Sequence, residues 1–368
     1  MLGLYIHIPF CSGKCYYCDF VSFKSKQKDI TKYLKALEKE AKLYKRLKSD
    51  TLYIGGGTPG SISVKNLCKL FKLIEKNFKP VKKFSESTFE ANPESLTIGK
   101  INLLKKIGIQ RISLGLQSSN DKLLKVLGRR HTFKKFEQTY LNLRKMGFDN
   151  VNVDLMIGVP RQTLSDCLKD IKKICLLNPE HISLYSLQIE QGSVFGKKGV
   201  ATNDDLAYKM YETVCKTLKK NGYGQYEISN FAKAGYECRH NINYWNNASY
   251  LGLGVSAVSY LKGVRRSNTC DFKTYCIDAL KNPKKIVCEK EKLTGKAKVG
   301  ETLMLGLRKT DGIKINCIAE KYFGNEISRL KKSGLLKMHG KKLMLSKKGL
   351  YLSNVVFREF VRPFIDKQ

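Results

Sequence analysis

No stretch of this sequence is apolar for long enough to cross a bilayer; the longest weakly polar run, residues 250–261, is far too short. The N-terminus lacks a charged segment followed by an apolar one, so no secretory signal is expected, and a soluble cytoplasmic protein is. Internal repeats and low-complexity linkers are also missing. Arginine is scarce: it supplies 13 of the 68 basic residues, and the other 55 are Lys spread along the whole chain. Planar, bidentate contacts to phosphates and bases favour Arg. The net charge of +36 therefore reads as a solvated lysine surface rather than a specific nucleic-acid site, and it is compatible with weak attraction to anionic lipid surfaces. Nine of the 12 cysteines are scattered, with no C-x2-C pair among them. That argues against a disulfide framework in a chain without a signal peptide, and most of the nine read as small buried hydrophobes.

The other three cysteines lie together in Tyr5-Ile-His-Ile-Pro-Phe-Cys11-Ser-Gly-Lys-Cys15-Tyr-Tyr-Cys18-Asp-Phe20, at a C-x3-C-x2-C spacing just after a β-prone run. Thiolates so closely spaced suit an iron–sulfur cluster. Three ligands for a four-iron cluster leave one iron open, and an open metal position is where a substrate or cofactor binds. A structural zinc site would need a fourth ligand, and none lies nearby at a usual spacing, since His7 sits inside the strand-like run.

At 368 residues and 42% hydrophobic, the chain predicts one large domain and a smaller one. β-prone runs at 4–10, 51–54, 87–91, 111–116, 151–157 and 181–189 alternate with amphipathic stretches at 30–47, 64–78, 98–107, 133–146 and 164–176. Six strands alternating with helices predict a parallel sheet with helices outside, and sites at the carboxyl ends of its strands. Further on, a helix is expected over 204–220 and a strand over 226–231. From about 294 the texture changes to short helices and a basic hairpin at 336–345 with Gly340 at its turn, a winged-helix-like unit. The reading divides the chain into a core barrel at 1–230, a connecting segment at 231–290 and a C-terminal unit at 291–368.

Polar groups recur at the strand ends. Gly55-Gly56-Gly57-Thr58-Pro59 follows the second strand, and its glycines let backbone approach a ligand. Glu90 ends the third strand and Gln117 the fourth; Arg129, with Arg130 as its rival, could pair with a carboxylate. Asp154 lies in the fifth strand, where an unpaired acid would be costly to bury. Any one of them could be a cap or a surface group; five at successive strand ends point to a site. A second candidate is His240-Asn-Ile-Asn-Tyr-Trp245, which holds the only Trp and one of five His. A neutral imidazole among aromatic rings suits an axial heme ligand, although composition alone favours a structural His in an aromatic turn. Cys238 is a further candidate metal-active group.

Taken together, these motifs resemble the radical SAM heme chaperone family, whose members were long called oxygen-independent coproporphyrinogen III oxidase-like proteins. The resemblance rests on Tyr5-Ile-His-Ile-Pro-Phe-Cys11, Gly55-Gly-Gly-Thr-Pro59, Glu90-Ala-Asn-Pro-Glu94, Glu227-Ile-Ser-Asn-Phe-Ala232 and His240-Asn-x-x-Tyr-Trp245. It implies a partial (β/α)6 barrel. It also implies a 4Fe–4S cluster on Cys11, Cys15 and Cys18, whose open iron chelates S-adenosylmethionine (SAM). Tyr5, Gly56, Gly57, Thr58, Glu90, Gln117, Arg129 and Asp154 would line the SAM site, with Tyr17 against the adenine. His240 would contribute to heme binding, and the recipients would be apo-hemoproteins of respiration; a homodimer is left open. The related oxidases, which carry out anaerobic oxidative decarboxylation of coproporphyrinogen III, are the alternative. They typically carry another cysteine two positions beyond the third, where this chain has Asp19-Phe20, and an N-terminal extension for which ten residues before Cys11 leave no room. Arg161, where Gly is common, and Gln191, where Pro is common, depart from the chaperone pattern.

The combined Cys11→Ser, Cys15→Ser and Cys18→Ser variant should hold no iron and show no charge-transfer absorption after anaerobic reconstitution. Iron content equal to wild type would refute the cluster assignment.

Overall fold

Alternating β-prone and amphipathic runs give the elements their periods dictate. In this computed structural model, which describes residues 1–365 apart from 25 and 46, the first half of the chain forms six strands. They are β1 (Gly3–Ile8), β2 (Thr51–Gly56), β3 (Glu86–Ala91), β4 (Arg111–Gln117), β5 (Val151–Ile157) and β6 (His181–Ser186). They pair in that order, all in parallel, as expected of the partial barrel. Parallel strands are covered on both faces, and β4 is buried at every residue. The cover comes from α1 (Gln27–Lys42), α2 (Val64–Asn77), α3 (Ile98–Ile107), α4 (Phe133–Lys145) and α5 (Leu164–Leu177). Ser63, Thr97, Thr132 and Thr163 each accept a hydrogen bond from the backbone N–H three residues on, which satisfies a donor that a helix start leaves open.

The second half extends the sheet at both edges. After α6 (Asp204–Lys220), β7 (Gly224–Gln225) and β8 (Asn230–Ala232) add antiparallel beyond β6. The single strand expected over 226–231 is thus two short ones. Glu227 breaks it, because its carboxylate accepts from Ser229 N at 2.9 Å and from the Asn230 side chain and turns the chain. α7 (Arg239–Trp245) follows, then β9 (Tyr250–Leu253), which lies parallel to β1 on the side away from β2. β10 (Val258–Leu261), β11 (Val264–Asn268) and, after α8 (Phe272–Lys281), β12 (Val287–Lys292) continue antiparallel. The whole order is β12–β11–β10–β9–β1–β2–β3–β4–β5–β6–β8–β7.

The C-terminal unit contains α9 (Gly295–Gly306), β13 (Ile313–Lys314), α10 (Cys317–Lys332), β14 (Leu336–His339), β15 (Lys342–Leu345) and α11 (Ser353–Ile365). The hairpin turns at Gly340, whose φ of +56° suits a residue without Cβ. β13, not foreseen, adds to β15 and completes the winged-helix-like sheet. Leu303, Leu307, Phe323, Ile327, Leu343 and Phe360 give this unit its own core. Backbone bonds join it to the barrel: Ile228 N to Arg308 O and Thr310 N to Tyr226 O, both 3.1 Å. No helix among the described residues is long and apolar enough to cross a membrane.

One buried acid ties α1 to the β9 side of the sheet. The Glu40 carboxylate accepts from Gly254 N (2.8 Å), Asn268 Nδ2 (2.7 Å) and the Tyr275 hydroxyl (2.6 Å). Burial outweighs these donors and pushes its pKa up from 4.5 to about 7. The folded chain therefore binds this proton more tightly than the unfolded one. Its contribution to stability is complete below pH 4.5 and is lost as pH rises through about 7. The stability of wild type relative to Glu40→Gln should fall by roughly 2–3 kcal/mol between pH 5 and pH 8 in chemical denaturation. A difference that stays flat with pH would refute the assignment.

Candidate cofactor site and the adjoining aromatic cavity

Beyond β1 the chain makes a short parallel pairing of Phe10–Cys11 with Phe23–Lys24, and the loop between them carries the cysteines. Three backbone bonds pin that loop: Tyr16 N to Leu127 O (3.0 Å), Cys18 N to Cys15 O (3.2 Å) and Phe195 N to Tyr16 O (2.9 Å). All three thiols face one cavity of about 370 Å³. The ends of β2 to β4 bring Gly56, Gly57, Thr58, Glu90 and Gln117 to the same cavity, the middle of β5 brings Asp154, and Tyr17 and Arg129 enter it from loops. Arg130, the rival, is exposed and instead donates to Ser12 O at 2.7 Å.

A chain of polar contacts connects two of the thiols. Cys11 Sγ lies 3.3 Å from Thr58 Oγ1, which accepts from Asn92 Nδ2 at 3.1 Å. Asn92 Oδ1 accepts from Arg129 Nη2 at 2.7 Å, and Arg129 Nη1 reaches Cys15 Sγ at 3.6 Å. Burial pushes the Cys11 and Cys18 thiols up, and the Thr58 hydroxyl pulls Cys11 partly back. Gly57 allows this closeness: a Cβ there would stand 2.8 Å from Phe10 O and 3.1 Å from Cys11 Sγ. Burial raises Glu90 to about 7, although Tyr53 OH (2.6 Å) and Gly56 N (3.2 Å) donate to its carboxylate. Burial likewise raises Asp154, against the pull of Asn152 and Ser183.

Gln117 holds a left-handed φ of +76°, a conformation that costs a non-glycine residue about 1–2 kcal/mol. Asp170 on α5 fixes it there by accepting from Ser119 N (2.6 Å) and Ser118 Oγ (2.9 Å). Gln117 Oε1 and Arg129 Nε are buried without hydrogen-bond partners. A wall with an unmatched acceptor and donor, a carboxylate and a guanidinium fits a ligand that carries both an amine and a carboxylate, as SAM does. Among the described residues, no three His, Cys, Asp or Glu groups converge closely enough to hold a single metal ion. A tetrahedral zinc site requires that convergence. In a cluster each thiolate binds a different iron, and Cys11, Cys15 and Cys18 all line the one cavity, so the donor set fits a cluster.

The second cavity, about 620 Å³, is walled largely by Tyr5, Tyr53, Tyr185, Tyr244, Trp245 and Tyr250, and it holds His240. It shares Phe20 and Tyr185 with the first. Tyr5, expected to line the SAM site, faces this second cavity, with its hydroxyl 3.0 Å from His7 Nδ1. His240 stands on α7, a helix rather than an aromatic turn, with both ring nitrogens engaged: Nδ1 with Thr51 Oγ1 (2.8 Å) and Nε2 with the Tyr244 hydroxyl (3.0 Å). Burial, helped by the Arg111 cation, lowers its pKa to about 3, so the imidazole is neutral. Glu86, the first residue of β3, fixes the start of α7 by accepting from Arg239 N (2.8 Å) and His240 N (3.1 Å). Cys238 also donates to Glu86, at 3.3 Å. It is fully buried, and burial pushes its pKa up to about 12. The sequence reading missed His7 in this wall and Glu86 behind it; the i, i+2 spacing of Tyr5 and His7 on a strand was the available signal.

The family profile of the Radical SAM superfamily matches residues 5–174, and that of the HemN C-terminal domain matches residues 293–352. The chain is 37% identical to the heme chaperone HemW of Bacillus subtilis, covering 98% of this chain and 99% of that protein. It is 37% identical to HemW of Lactococcus lactis (97% and 96% covered) and 30% identical to that of Mycobacterium tuberculosis (97% and 94%). Among solved structures, the coproporphyrinogen III oxidase HemN of Escherichia coli superposes with a TM-score of 0.86 over 99% of this chain and 90% of that one; at 22% identity this shows a shared fold.

The two glycine environments give a paired test. At Gly57 a Cβ meets backbone that cannot yield, whereas Gly99, inside α3, has nothing within 4 Å. Gly57→Ala should lower both stability and the iron retained on reconstitution. Gly99→Ala should raise stability by about 0.5–1 kcal/mol and leave iron unchanged. Equal behaviour of the two variants would contradict the close approach of the loops.

Proposed function

The chain belongs to the HemW heme chaperone family within the radical SAM superfamily, and from that premise we propose that it is a cytoplasmic heme chaperone. It binds heme in the aromatic cavity and hands it to apo-hemoproteins, respiratory enzymes among them. The observation that carries this reading is the cavity of about 620 Å³ with a neutral, buried His240 in its aromatic wall. A neutral imidazole is the form that ligates iron. Ligation through Nε2 would replace the Tyr244 hydroxyl, while Nδ1–H donates to Thr51 Oγ1 and keeps the ring oriented.

In the adjoining cavity Cys11, Cys15 and Cys18 would hold the 4Fe–4S cluster. When bound, the cluster and SAM supply one-electron chemistry. Arg129 would meet the SAM carboxylate and Glu90 its amine, Gln117 and Asp154 would accept its hydroxyls, Gly56, Gly57 and Thr58 would cradle its methionyl part, and Tyr17 would cover the adenine. Tyr5, near Glu90 and with its hydroxyl on His7, would complete the SAM site from the side of the aromatic cavity. The closeness of the two cavities supports this reading: Phe20 follows Cys18 by two residues and lines both.

Heme titrated into the anaerobically reconstituted protein should bind saturably with a defined Soret band. His240→Ala should lose the binding or shift the band. Absence of binding by the wild type would overturn the proposal and bring the porphyrinogen decarboxylation assay forward.

A further inference from the structure

The aromatic cavity ends in a group that the C-terminal unit supplies. Arg308 follows α9 and turns its side chain into the cavity wall. Its guanidinium carbon lies 4.3 Å from the centre of the Trp245 ring. Its nearest acid, the fully buried Glu227, stands 3.6 Å away (Oε2 to Nη2), which is an ion pair but too long for a hydrogen bond. Glu227 Oε1 is occupied on its other side by Ser229 N and the Asn230 side chain. Arg308 Nε and Trp245 Nε1 are both buried with no hydrogen-bond partner. The position is fixed, because Ile228 N donates to Arg308 O and Glu227 bridges to Lys309 across the seam between the two units.

Arg308 Nε on the guanidinium and Trp245 Nε1 on the indole beneath it are buried donors without acceptors, and although Glu227 Oε2 also lacks a hydrogen-bond partner it stays 3.6 Å from Nη2, so the two donors are open to an anion. Arg308 is the one permanent cation among the described residues that line this cavity. A purely structural pair would close to hydrogen-bonding distance and satisfy Nε. Resting on the heme reading above, we infer that Arg308 and Trp245 form the carboxylate-binding end of the cavity and hold a propionate of heme. His240 and Trp245 both stand on α7 and both line the cavity, so one ligand can meet the imidazole and the Arg308–Trp245 end together. The planar, apolar ring would lie against the tyrosines and its charged edge at Arg308.

The test titrates ferric heme and heme dimethyl ester, in which both carboxylates are masked, into three proteins: wild type, Arg308→Leu, and Arg308→Leu combined with Glu227→Gln. The double variant avoids leaving Glu227 buried and uncompensated. Heme should bind both variants roughly ten- to hundred-fold more weakly than wild type. The Soret position should not change, since His240 is intact. The ester should bind all three proteins alike, and more weakly than heme binds wild type. Equal losses for heme and ester would mean a structural role for Arg308 and overturn the inference, as would unchanged heme affinity in both variants. A wild type that binds heme and ester equally well would sink the inference and leave the heme reading standing. A wild type that binds neither would sink the heme reading itself, and the inference with it.

Discussion

Both cavities depend on the register of one strand. β1 is hydrogen-bonded in parallel to β2 on one side and β9 on the other. The strand period of two sends Leu4, Ile6 and Ile8 to one face, where they are completely buried, and Gly3, Tyr5 and His7 to the other. Gly3 leaves room for the His240 ring, since a Cβ there would stand 3.0 Å from Cε1. Tyr5 and His7 furnish the aromatic wall, and the next turn of chain delivers Cys11. A slip of one residue would exchange the two faces. It would drive three aliphatic side chains into the polar interior and turn the histidine toward the helices.

The two cavities are therefore neighbours by construction. Loops at the carboxyl ends of β2 to β4 close the first, and the carboxyl-end neighbour β6, the α7 helix and the C-terminal unit close the second. Phe20 and Tyr185 belong to both walls. What fills one cavity thus bears on side chains that shape the other, without any need for a long path of coupling. Three of the 13 Arg serve such internal tasks. Arg111 and Arg129 lie inside the barrel, and Arg308 lies at the seam.

Much of this was legible because the signals are local. Alternation of strand and helix patterns located β1 to β6 and α1 to α5. The cysteine spacing and the polar residues at strand ends were visible for the same reason, since parallel strands bring their carboxyl ends to one edge. What escaped depends on partners far away in the chain. β9 reads as a glycine-rich apolar stretch, and only its pairing with β1 makes it a strand of the barrel. Glu86 looks like a polar residue before a strand, and only α7 arriving from elsewhere makes it a cap. The contact of the Tyr5 hydroxyl with His7, two residues on along the same strand face, was likewise not drawn from the sequence. Arg161 departs from glycine at a φ of +69°, so that departure is a local strain and not a change of site.

The seam at Arg308 sets the order in which synthesis supplies the walls of the two cavities. A chain leaves the ribosome N-terminus first and folds domain by domain. Every residue lining the cysteine cavity has been made once Tyr185 has emerged, but the aromatic cavity lacks its last wall until Arg308 follows. A nascent chain thus contains every residue of the cysteine cavity well before it contains the last wall of the aromatic one, and a chain interrupted before the C-terminal unit would leave that second cavity open.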